Sequence, residues 1–163
     1  EVIDDESLTS TEVIRIYHNN GKVSEETSYR NGLKNGVSRE MDEDGNIIGG
    51  ALFSDGEKIA NGIFDKTGRQ QNDWEYLYQD GSTKAKGMYE NDKRVGKWVF
   101  YSPEGWVEQT GYYRNGEFDG KWNWFDVNGF VLRKESYHRG EEDGEFNEYD
   151  INKNLVLSGM YKN

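Results

Sequence analysis

Residues 113–129 read YRNGEFDGKWNWFDVNG, and residues 89–105 read YENDKRVGKWVFYSPEG. Laid over one another, Tyr113 falls on Tyr89, Gly120 on Gly96, Trp122 on Trp98, Phe125 on Tyr101 and Gly129 on Gly105, at a constant step of 24 residues. Trp122 and Trp124 share one side of this stretch while Asn123 and Phe125 share the other, the period of two of a β-strand. Asn115-Gly116 and Asn128-Gly129 bracket it, and such dipeptides supply the positive φ of tight turns. One unit is therefore two short strands and two turns, and strands joined by tight turns pair antiparallel.

The same step extends outward in both directions. Trp74, Trp98, Trp122 and Phe146 form one series, and Tyr89, Tyr113, Tyr137 and Tyr161 form another. Two residues before the closing aromatic stands a small residue, at Thr27, Ala51, Gly87, Gly111 and Gly159, with Glu135 the exception. A small residue there lets a ring from another strand lie across the backbone; turn geometry is the alternative reason for glycine. The first third carries the pattern in another phase: Gly21 and Gly45 precede Tyr29 and Phe53 as Gly81 precedes Tyr89, but the step from Gly45 to Gly81 is 36 residues, one and a half units. Residues 53–64 read as an irregular half repeat, where a bulge, bend or local disorder is expected. The fold read from this pattern is all-β: an extended antiparallel meander of repeated hairpins, solenoid-like or a curled sheet. It occupies 13–163 as a single domain behind an acidic Ser/Thr-containing tail at 1–12.

Composition narrows the function. A chain of 163 residues is one ordinary domain. Its formal charge of −11 opposes duplex nucleic-acid binding, which needs a basic footprint, and docking on anionic lipid. There is no Cys, so thiolate metal sites and Cys nucleophiles are excluded. No apolar run is long enough for a transmembrane helix. High charge with few aliphatic residues is a mark of disorder, but the chain is 14% aromatic, which argues for a folded sheet. Ala 3 against Gly 20 argues against helices.

The unit at 113–129 resembles the MORN repeat, and more closely its bacterial variant form. Its neighbours match at Tyr89, Gly96, Trp98, Tyr101 and Gly105, and at Tyr137, Gly140, Gly144, Phe146 and Tyr149, so that the likeness covers residues 13 to 163. The resemblance implies a β-hairpin array used as an interaction scaffold, with no catalytic motif to carry over. Bacterial relatives are often labelled antitoxins.

No catalytic or metal-binding residue is assigned, and no cofactor is expected. His18 and His138 sit beside turns without a second His at ligand spacing. The acidic run 40–45 has Ala51 where a calcium loop needs its bidentate Glu. No phosphate-binding glycine loop and no nucleophile elbow is present. The chain reads as a non-enzymatic scaffold with a protein partner, a basic one if the acidic surface does the covering. A cell-envelope or secreted structural role is the alternative, and a glycan-binding or glycan-acting role stands behind both. A chain beginning at Glu1 rather than Met fits export with a leader removed. The candidate contact patch is Trp106 and Phe130, because the equivalent positions Lys22, Asn46, Ser82 and Asn154 are polar and the fold does not need a ring there.

Overall fold

The computed structural model describes residues 11–162. Fourteen strands follow one another: β1 (Thr11–Tyr17), β2 (Val23–Arg30), β3 (Leu33–Met41), β4 (Ile47–Ser54), β5 (Glu57–Phe64), β6 (Gln70–Leu77) and β7 (Thr83–Glu90), then β8 (Lys93–Tyr101), β9 (Val107–Arg114), β10 (Glu117–Phe125), β11 (Val131–His138), the two-residue β12 (Glu141–Glu142), β13 (Gly144–Tyr149) and β14 (Leu155–Tyr161). Each pairs antiparallel with its sequence neighbour in a single open sheet, with β12 and β13 both against β11. The tail read at 1–12 lies outside the described residues as far as residue 10; Thr11 and Glu12 pair with Arg30 and Tyr29 in the sheet.

Two kinds of turn alternate along the chain. One is a two-residue loop with positive φ at both positions, as at Asn31-Gly32, Asp55-Gly56, Asn91-Asp92, Asn115-Gly116 and Arg139-Gly140. The other is a longer loop closed by a bond such as Asp126 N–H to Phe130 C=O, 2.8 Å, ending on a positive-φ residue. Strictly alternating turns would make a strict repeat. The alternation fails once: β6 has the longer turn at both ends, Asp65–Arg69 and Tyr78–Ser82. β5 is thus the half repeat, an unaccompanied single strand. The sheet runs through it unbroken, β4 to β5 to β6, and its register shifts at Leu52/Phe53 and Asn61/Ile63 are of the kind found in most other pairs. These two shifts are the irregularity found at 53–64, and strand pairing continues on both sides of β5.

What the odd strand does is turn the repeat over. Adding one strand to a meander of two-strand units reverses strand direction and exchanges the two faces for every unit after it. In the later units Trp74 pairs with Gly87 and Trp98 with Gly111 on one face, called here the aromatic face. Their earlier equivalents Ser38 and Ala51 pair with each other and then, through Asn61, with Glu75 on the opposite face. Thr27, Ser38 and Ala51 are buried there, and Thr27 and Ser38 share a 2.6 Å hydroxyl hydrogen bond.

The core is a chain of rings on the aromatic face. Phe64, Trp74, Tyr89, Trp98, Tyr113, Trp122 and Tyr137 follow with centroids 5.0 to 6.5 Å apart, mostly edge to face. A Cβ placed on Gly62, Gly87 or Gly111 would fall 2.0–2.4 Å from Trp74, Trp98 or Trp122 respectively. Neither Gly87 nor Gly111 has a positive φ, so ring packing, not turn geometry, explains this column. Phe146 does not continue the chain. The position that would receive its ring holds the buried Glu135, which accepts a 2.6 Å hydrogen bond from the Tyr137 hydroxyl and pairs with Arg133. Phe146 lies instead over Gly159 and against Tyr161.

The longer turns are built on carboxylates. Asp42 Oδ1 accepts from the backbone N–H groups of Asp44 and Asn46, and Asp150 Oδ1 from those of Asn152 and Asn154. The run considered as a calcium loop is this turn. The Asn46 and Asn154 side-chain amides hold Asp42 and Asp150 below the ordinary 3.8, and the Thr67 and Ser82 hydroxyls do the same for Asp65 and Asp80, in each case with help from backbone N–H groups. Groups depressed on folding stabilise above their unfolded pKa and lose that contribution as pH falls through the folded value. The melting temperature is therefore expected to fall as pH drops below about 3.8. Asp65→Asn, which keeps the turn's acceptor oxygen, should lie below the parent at neutral pH and converge with it in acid.

Candidate interaction surfaces

Antiparallel order places the turns after β6, β8, β10 and β13 on one rim of the sheet. Trp106 follows the turn at Ser102–Gly105 and Phe130 the turn at Asp126–Gly129, with Ser102 N–H donating to Trp106 C=O at 2.9 Å. Those two turns are two strands apart, about 10 Å. Phe130 is 40% exposed and Trp106 half-buried, and neither belongs to the ring cluster of the core. Lys153, from the next turn along the rim, holds its ammonium 3.3 Å from the centroid of the Phe130 ring, a cation–π contact.

The structure adds residues to this rim that pattern reading passed over. Val127 is exposed within the β10–β11 turn, and Ile151 is 87% exposed within the β13–β14 turn. Pro103 holds the equivalent place after β8, whereas Asn19, Glu43, Lys66 and Gln79 hold it in earlier turns. The signal was in the sequence: one column of the longer turn is apolar at Pro103, Val127 and Ile151, and a second at Trp106 and Phe130 before returning to polar at Asn154. A second point needed the fold. The half repeat puts the turns carrying Lys22 and Asn46 on the opposite rim from those carrying Ser82, Trp106, Phe130 and Asn154.

Of the repeat positions, Trp74, Trp98, Trp122, Tyr89 and Tyr113 are buried, while Tyr137, Phe146 and Tyr161 are half-buried. They pack ring against ring along the sheet. The burial of Tyr76 and its 2.9 Å hydroxyl contact with Tyr89 push its pKa up to about 12. Burial, followed by the bond to Glu135, pushes Tyr137 up further. His18 is tied to the Met41 carbonyl at 2.8 Å and is half-buried rather than free in its loop. Among the described residues, no three acidic or His side chains gather as metal ligands, and no helix is long and apolar enough to cross a membrane.

Residues 13–31 and 94–115 match the family model described as the MORN repeat variant. These two matches support the MORN-repeat-variant family. No curated protein matches it. The two matched stretches lie on either side of β5, and each runs from the first strand of a unit, through the longer turn and the second strand, to the Asn of the short turn. MORN-variant units therefore stand in both phases, facing opposite ways in one sheet. MORN repeats are in general interaction scaffolds for proteins or membranes, and not typically enzymatic.

Proposed function

We propose that this MORN-repeat chain is a non-catalytic scaffold that grips a protein partner along the rim of the β8–β9, β10–β11 and β13–β14 turns. The observation that carries this reading is the internal comparison. Turns of one backbone design carry Asn, Glu, Lys or Gln early in the chain and Pro103, Val127 and Ile151 late in it, beside Trp106 and Phe130. Exposed apolar and aromatic side chains grouped on one rim, which the fold does not require, are the anchors that dominate interfaces. The net charge of −11 favours a partner of opposite sign at long range, and an antitoxin-like cover for a basic toxin is the specific form of this proposal.

The test is the double substitution Trp106→Ser with Phe130→Asn, which borrows residues the other units use. Quantitative affinity capture from the native source, read by mass spectrometry, should show the loss of a protein that the parent retains. The melting temperature should stay within about 2 °C of the parent, less than the shift a one-kcal/mol change gives in a domain of this size. Unchanged capture, or a large drop in melting temperature, would overturn the reading.

A further inference from the structure

Three arginines of the sheet are half-buried, and two of them are neutralised. Arg39 pairs with Glu26, and Arg133 pairs with Glu135 and Glu148. The third, Arg94 at the start of β8, has no carboxylate within ion-pair distance among the described residues. A charge taken partly out of water is ordinarily paired. This chain has 31 acidic residues to 20 basic ones, and none of the acids is set against Arg94.

Arg94 lies instead among rings and hydroxyls on the aromatic face. Its guanidinium carbon is 4.5 Å from the centroid of Trp98 and 5.3 Å from that of Tyr113. Its Nε donates to the Tyr89 hydroxyl at 3.3 Å and its Nη1 to the Tyr113 hydroxyl at 3.0 Å. The Tyr89 and Tyr76 hydroxyls share a 2.9 Å bond, and Gln70 Nε2 donates to Tyr76 at 3.3 Å. The network is rich in donors and holds no carboxylate. A guanidinium has five N–H groups, and two are used here. Of the three phenol O–H groups, one goes into the bond between Tyr76 and Tyr89. The remaining protons meet no protein acceptor among the described residues. The acids of the turns at this end of the sheet are occupied. Asp92 Oδ1 accepts from the Gln70 backbone N–H at 2.7 Å, and Asp65 accepts from Thr67, Arg69 and Gln71. Glu135 and Glu142 share the aromatic face but lie three or more strands away, at least about 14 Å.

The repeat shows that the fold does not ask for a cation here. The column of Arg94 reads Gln70, Arg94, Phe118 and Glu142 from unit to unit. Phe118 covers Trp122 by stacking at 3.8 Å, as Arg94 covers Trp98. An apolar ring fills the same structural place.

We propose that Arg94 and the hydroxyls of Tyr76, Tyr89 and Tyr113 bind a single carboxylate group. The charge decides the class. One guanidinium neutralises a monoanion, whereas a doubly charged phosphate would be left partly uncompensated in a chain at −11. Guanidinium N–H and phenol O–H groups give a carboxylate charge-assisted hydrogen bonds. The half-buried rings of Tyr76 and Phe100 flank Trp98 at centroid distances of 6.2 and 6.1 Å, and they suit a carboxylate carried on an apolar body. The site stands at the other end of the strands from Trp106 and Phe130, so its test is independent of theirs.

The experiment is a titration of the isotope-labelled full chain, followed by NMR at the Arg94 Nε–H and Trp98 indole N–H signals. Two probes carry one carboxylate each: benzoate, a free small acid, and an acetylated, amidated Ala-Glu-Ala tripeptide. Benzamide and inorganic phosphate are the controls. Both carboxylates should shift the signals saturably, and the tighter one tells a free acid from an acidic residue of a protein partner. Arg94→Phe, borrowed from Phe118 and read at Trp98, should weaken binding about tenfold or more, the scale of hydrogen bonds to a charged group. Tyr113→Phe should weaken it by about two- to tenfold. The melting temperature of Arg94→Phe should match the parent; if it falls, Arg94→Gln, borrowed from Gln70, must show the same loss of binding. No saturable shift with either carboxylate, or unchanged binding by the Arg94 variants, would overturn the proposal. So would benzamide or phosphate binding as tightly as benzoate.

Discussion

Truncating Trp98 to alanine is expected to destabilise the sheet by about 3–5 kcal/mol, the range for removing a fully buried indole. The ring touches Tyr76, Tyr89, Phe100 and Tyr113 at centroid distances of 5.4 to 6.2 Å, and the Arg94 guanidinium lies 4.5 Å from its centroid. Its Nε1 donates to the Met88 carbonyl at 3.2 Å. A two-layer protein could close part of the gap with side chains from the other layer. A single sheet has none to offer, so the neighbouring rings lose contact on one side and gain water. Because each unit is held mainly by its neighbours, as in repeat arrays generally, the damage should be directional. Chemical denaturation should show a lowered midpoint. Hydrogen exchange should speed up in β7 to β9 first, leaving β2 to β4 protected. A loss below about 1 kcal/mol, the scale of a surface change, would show that the ladder is not the core.

How much of this could be read beforehand depends on the kind of information each feature needs. The 24-residue step and the Asn-Gly turns are local, so the meander, the strand alternation and the aromatic series were legible in the sequence. The half repeat was visible as an irregular step, but its consequence was not. A bulge, bend or local disorder was the natural expectation; backbone hydrogen bonding does not register which face a strand presents, so the ladder of bonds continues past the register shifts while the side chains change sides. That is why Thr27 and Ala51 align with Gly87 by sequence phase and sit on the opposite face. Glu135 was visible as the one exception in a column of small residues. That it diverts Phe146 onto Gly159 required the ring positions. The rim patch was half legible: Trp106 and Phe130 stood out by size, whereas Val127 and Ile151 are ordinary apolar residues until the turns line up on one rim.

Replacing Gly111 by alanine should lower stability, against the usual sign of the substitution. A strand glycine whose φ is not positive normally gains about 0.4–1 kcal/mol on becoming alanine, because the unfolded chain loses freedom. At Gly111 the new Cβ would fall 2.0 Å from Trp122 Cδ2 and 2.2 Å from Cε2. Those atoms belong to a fully buried ring, stacked on Phe118 at 3.8 Å and bonded through Nε1 to the Tyr112 carbonyl at 3.2 Å, so it has nowhere to retreat without breaking other contacts. Overpacking of this kind costs about 1–3 kcal/mol, enough to reverse the entropic gain. Gly49 is the matched control. It too lies in a strand without a positive φ, but its Cβ would meet Glu40 Oε2 at 3.1 Å, the end of an exposed side chain that can swing away. Gly49→Ala should therefore be neutral or mildly stabilising while Gly111→Ala is destabilising, with the emission of Trp122 shifting to the red as its ring is lifted toward water. Equal effects at the two glycines would mean that ring packing does not set the Gly87, Gly111 and Gly159 column, and the account of the core given by the ladder would have to be abandoned.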